Sequence, residues 1–114
     1  SIGALAAQGQ PCDAVTVKIS KVGGLDGRLG GCLPTYMSSA LDGPVGIAAA
    51  GHVAMTLPEI GPTGPTYHGL ATLGLFEGTI AAVGPEMVGE TLALPSGPGI
   101  GVELDESALT AFRL

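Results

Sequence analysis

A chain of 114 residues, 46% hydrophobic but only 4% aromatic and without tryptophan, is one domain at most, and its apolar mass is Ala, Val, Leu and Ile. Ten acidic against four basic side chains leave a net charge of −6; this excludes the clustered basic surface that nucleic acid requires. No apolar run approaches the roughly 20 residues of a membrane span, no basic amphipathic helix suits a lipid surface, and the first residues lack the charged start of a signal peptide. A cytoplasmic protein is the expectation. Small aliphatic residues at this density suit strands buried on both faces, as in α/β folds.

In chain order, the Ala-rich residues 1–10 read as the tail of a helix ended by Gly9 and Pro11, which suggests a chain cut from something longer. Cys12 and Cys32 stand singly, without metal-ligand spacing, and read as buried thiols of a reducing compartment. Residues 14–20 alternate as a strand does and run into Gly23-Gly24. The stretch 25–33 is too short and too Gly-rich for the helix that a parallel crossover needs.

Residues 35–39 read as a second strand. Asp42 is expected to cap a helix over 45–57, with Pro44 in its first turn and Pro58 as its stop. His52 on that helix reads as a structural or surface histidine. After a Gly/Pro loop at 61–65, residues 67–70 suit a third short strand and 72–83 a second helix. The tail then offers extended segments at 90–94 and 100–104, and a last short helix capped by Asp105. This β/α order predicts sequential parallel strands.

Three motifs invite chemistry. Gly97-Pro98-Gly99-Ile100-Gly101 superficially suggests a dinucleotide loop, but no helix follows and a tight turn is the expectation. Ser38-Ser39 lacks a nucleophile elbow, which leaves ligand contact or turn chemistry. Lys18 and Lys21 are two of the four cationic side chains. Three apart on a strand, they point to opposite faces, so at most one faces a barrel interior. A lysine there is either a solvated strand end or a catalytic amine.

The run Val17-Lys18-Ile19-Ser20-Lys21-Val22-Gly23-Gly24-Leu25 resembles the sixth barrel strand of enolase-superfamily enzymes of the muconate-lactonizing subgroup. Ser38-Ser39-Ala40-Leu41-Asp42-Gly43-Pro44 and the residues after it resemble the seventh strand and helix of o-succinylbenzoate synthases, and His68-Gly69-Leu70-Ala71-Thr72-Leu73 their eighth strand. Pro98-Gly99-Ile100-Gly101-Val102-Glu103-Leu104-Asp105 resembles their C-terminal segment.

The resemblance implies an α/β fold, the C-terminal part of a (β/α)8 TIM-type barrel. About three β/α units fall in residues 1–88, and a tail belonging to the capping domain in 89–114. It also implies that Lys18 is the catalytic lysine of the sixth strand, that Ser38, Ser39 and Gly69 contact a small-molecule carboxylate substrate, and that Lys21 faces away. The family's Mg²⁺ would be held by carboxylates of earlier strands, leaving no metal ligand in this chain.

The activity so implied is a dehydration of a succinyl-cyclohexadiene carboxylate in menaquinone synthesis, with the segment inactive alone. Racemisation of N-succinylamino acids or epimerisation of dipeptides uses the same barrel and lysine. A third reading is a non-catalytic fragment that folds by association, with a second copy or with the N-terminal part of the barrel.

Overall fold

The computed structural model describes residues 12–23, 34–60 and 66–113. The expectations placed on residues 1–10, on Cys32, on the short crossover at 25–33 and on the loop at 61–65 lie outside them. Its elements are β1 (Val15–Val17), α1 (Ile19–Val22), β2 (Thr35–Met37), α2 (Pro44–Ala54), a 3₁₀ turn (Leu73–Leu75), β3 (Ala81–Val83), β4 (Glu86–Val88), β5 (Thr91–Ala93), β6 (Glu103–Leu104) and α3 (Glu106–Ala111).

β1 and β2 pair in parallel, with Val15 opposite Thr35 and Val17 opposite Met37. Ser38 continues β2 into a parallel bridge with Gly69, so three segments run side by side in chain order, with α2 as the crossover between the second and third. The core lies where α2 covers this sheet. Val17, Ile19, Met37, Ile47, Ala50, Ala54 and Leu70 form one buried cluster, flanked by Val53, Leu73 and Leu92. Alternation along β1 and β2 turns Val17 and Met37 inward, and the small side chains of α2 allow the helix to lie close upon them. Beyond this α/β unit the chain is antiparallel: β4 and β5 form a hairpin, and β3 pairs with β6. The described residues form a small α/β arrangement with few strands and no closed barrel. None of their helices is long and apolar enough to cross a membrane.

Five local expectations are corrected. The first strand stops at Val17, not at 20, because Gly23 takes a left-handed φ of +87° and closes a helical turn over Ile19–Val22; Lys21 N–H bonds the Lys18 carbonyl at 2.9 Å. Asp42 does not cap α2. Gly43 is the capping residue, and the Asp42 carboxylate turns back to accept from Ala40 N–H at 2.8 Å. The helix expected over 72–83 is a single 3₁₀ turn followed by β3, since Gly74, Gly78 and Thr79 all disfavour helix and no side chain caps its start. Strand β4 was not expected, although Gly89 supplies the positive φ of +60° that a two-residue hairpin turn takes at its first position; the 88/89 boundary falls in that turn. Cys12 is a half-buried free thiol, not a fully buried one.

Other local signals hold in part: the third strand is a single bridge at Gly69, the last extended segment is Glu103–Leu104 alone, and the main helix ends at Ala54. Asp105 caps α3, its carboxylate accepting from the N–H groups of Ser107 and Ala108 at 2.8 and 3.0 Å. His52 bonds the Ala48 carbonyl on its own helix at 2.9 Å. The glycine-rich tail segment is a turn, with Gly101 N–H bonded to Pro98 O at 3.1 Å. Gly101 is buried there at a φ of +74°, and a Cβ added to it would meet Pro95 O at 2.6 Å. Gly101→Ala is therefore expected to lower unfolding free energy by about 2 kcal/mol or more. Asp105→Ala, which loses only an exposed cap, should cost about 1 kcal/mol. Urea denaturation of both variants measures the difference, and equal effects would contradict the geometry.

Candidate functional site

The site is built where the parallel segments end. Ser38 N–H donates to Val17 O at 2.8 Å, Gly69 N–H to Met37 O at 2.8 Å and Ser39 N–H to Gly69 O at 2.9 Å, so the carboxyl ends of all three segments lie level. Lys18 follows β1 in extended backbone. Its ammonium lies 3.4 Å from Ser38 Oγ and donates to the Ser39 carbonyl. A Cβ on Gly69 would stand 3.2 Å from Ser38 Oγ, so a side chain there would crowd the hydroxyl. Lys18, Ser38, Ser39 and Gly69 are thus brought together. Lys21 is exposed on α1 and makes no side-chain hydrogen bond to them.

Ser39 is the fixed point of this loop. It is 6% exposed, and its Oγ accepts from Asp42 N–H at 3.0 Å and from Thr72 Oγ1 at 2.8 Å. With Asp42 bonded back to Ala40, the loop is cinched from both ends, and Leu41 between them is forced to a φ of +62°. A leucine with positive φ is uncommon, and its cost is met by these surrounding bonds. Thr72 and His68 were not singled out from the sequence, because each acts on a partner about thirty residues away. The His68 Nδ1 accepts from Met37 N–H at 3.1 Å, and burial lowers its pKa from the ordinary 6.5.

Among the described residues both hydrogen-bond partners of Lys18 are neutral oxygens, which leaves its charge without a paired carboxylate there. Among the described residues no three His, Cys, Asp or Glu side chains converge as metal donors, and Asp42 in the same loop is committed to main-chain N–H. The donor set does not fit a Mg²⁺ centre. A groove of about 720 Å³ opens beside the loop, walled by Leu41, Pro44, Leu73, Phe76, Ile80 and Phe112. A second, of about 400 Å³, lies between α2, the His68 segment and the β4–β5 hairpin. Neither is lined by Lys18, Ser38 or Ser39.

The two serines are expected to respond differently to mutation. Ser39→Ala strands the Asp42 N–H and the Thr72 hydroxyl and should cost about 1–3 kcal/mol. Ser38→Ala, which removes two long contacts, one from Lys18 at 3.4 Å and one to the Ser39 carbonyl at 3.5 Å, should fall within about 0.5 kcal/mol of the parent. Thermal unfolding of the pair checks the order, and a costlier Ser38→Ala would refute it.

No protein-family model matches the chain. Over 107 residues the sequence is 32% identical to a chloromuconate cycloisomerase of Pseudomonas putida, an alignment that takes in 88% of this chain and 28% of that protein. The chain therefore spans little more than a quarter of that relative's length. The similarity supports the enolase superfamily, without distinguishing the o-succinylbenzoate synthase subgroup within it.

Proposed function

We propose that this chain supplies one wall of the active site of an enolase-superfamily lyase or isomerase acting on a small-molecule carboxylate, and specifically of an o-succinylbenzoate synthase-like member. The observation that carries the reading is the convergence of Lys18 with Ser38, Ser39 and Gly69 at the carboxyl ends of three parallel segments, the end at which barrel enzymes assemble their sites. In this role the Lys18 ammonium faces negative charge as it develops on the substrate. The Ser38 hydroxyl and the main chain around Ser39 and Gly69 hold the succinyl end. Gly69 leaves room for that end beside Ser38.

In this reading the chain contributes Lys18 and the groups that hold the succinyl end, and the segment on its own binds without turning over. Titrating the ¹⁵N-labelled chain with o-succinylbenzoate should shift the amides of Lys18, Ser38, Ser39 and Gly69, and Lys18→Ala should weaken binding about tenfold or more. Shifts confined to other residues, or binding indifferent to Lys18→Ala, would sink the proposal. Incubating a complete homologous enzyme with N-succinylamino acids in D₂O separates racemisation from dehydration, because only racemisation exchanges the α-proton.

A second reading is favoured by the sheet itself. Among the described residues β1 is paired on one edge only, and Leu41, Met55, Tyr67, Leu75, Val88 and Phe112 are large apolar side chains left exposed. A chain of this kind folds more completely against a second copy or the rest of a barrel. Light scattering decides it: mass rising with concentration supports association, and a constant monomer mass refutes self-association.

A further inference from the structure

In a parallel ladder, the N–H groups of one strand go at alternate residues to carbonyls of the same neighbour. β2 and the Gly69 segment follow that pattern once, through Gly69 N–H to Met37 O and Ser39 N–H to Gly69 O. The next bond of the ladder would run from Met37 N–H to the carbonyl of Tyr67. Instead, Met37 N–H goes to the imidazole Nδ1 of His68 at 3.1 Å. Met37 is fully buried, at 0% exposure, so this N–H has no recourse to water and must keep a protein acceptor. A ring nitrogen accepts only when unprotonated, which fixes His68 as the neutral tautomer with its proton on Nε2.

We propose that His68 is a pH-sensitive latch on the third parallel segment: as neutral imidazole it stands in for a strand carbonyl and holds Gly69 against Ser38, and as imidazolium it must leave Met37, so that Gly69 withdraws from the Lys18 cluster.

The surroundings offer the imidazolium little compensation. His68 lines the smaller groove with Tyr67 of its own segment and Glu90 of the hairpin, the other ionisable residues there. α2 contributes Gly51, Ala54 and Met55, and β2 meets the ring through its main chain, none of which ionises. Burial is the cause that lowers the His68 pKa from 6.5, and accepting a hydrogen bond at Nδ1 acts in the same direction. The latched state therefore binds fewer protons than the released state. Latching is fully favoured above pH 6.5 and weakens as pH falls below it towards the lower value of the latched form.

The test is amide hydrogen exchange by NMR on the 114-residue chain, from about pH 7.5 to about pH 5, with protection taken relative to unstructured peptide at each pH. Protection of Met37, Gly69 and Ser39 is expected to fall together below pH 6.5, by up to about tenfold per pH unit. The titration of the His68 ring protons should share their midpoint, while Val15 and Ser38, bonded between β1 and β2, stay protected. His68→Gln, whose amide oxygen accepts without titrating, should keep the three amides protected throughout, and His68→Ala should expose Met37 at every pH. If His68→Ala does not fold, the parent and His68→Gln decide the matter. Ring titration without loss of protection, the same loss in His68→Gln, or simultaneous loss at Val15 and Ser38 would each overturn the latch.

Discussion

Everything in this molecule hangs on β2 being bonded along both edges while its one large inward side chain is removed from water. Met37 is fully buried between the sheet and α2. Its carbonyl is taken by Gly69 and its N–H by His68, and on the other edge Ser38 N–H reaches the Val17 carbonyl. A buried main chain cannot leave these groups unpaired without losing roughly 1–3 kcal/mol for each. The register of all three segments is therefore set together. That register brings Lys18, Ser38 and Gly69 level, and slipping any segment by one residue would turn its side chains to the opposite face.

Around this axis the protein uses neutral oxygens where an ion pair would have been another solution. Lys18 is held by a hydroxyl and a carbonyl, so it is positioned without having its charge cancelled. The serine loop is held in turn by hydroxyl and main-chain bonds that force Leu41 into a left-handed conformation. In the proposed function, this strain beside Lys18 keeps the loop rigid before its ligand arrives. The polar work at the strand ends falls to Ser38, Ser39, Thr72 and main chain.

Much of the local structure was legible in the residues. The alternation of Val15, Thr16 and Val17, the apolar run of α2 and the capping Asp105 each act over a few residues, where sequence pattern and physics coincide. Lys18, Ser38, Ser39 and Gly69 were singled out through resemblance, and the structure brings them together. Lysines three apart on one strand would point to opposite faces, but here Lys21 lies on a helical turn after the strand, where that alternation does not apply. Asp42 illustrates the opposite outcome. It has the residue type and position of a helix cap, yet the turn at Leu41 brings Ala40 N–H nearer, and the carboxylate goes there.

By itself, then, the sequence determined an acidic, aromatic-poor chain whose first two strands and main helix form a parallel unit, with one lysine at a strand exit, because propensity and periodicity are properties of neighbouring residues. Only the tertiary structure decided that the region after Thr72 abandons helix for strand, that Thr72 anchors Ser39 across 33 residues, and that a histidine ring replaces a strand carbonyl beneath Gly69. Those outcomes depend on which buried N–H and hydroxyl groups meet once the segments are packed, and such meetings leave no periodic trace along the chain.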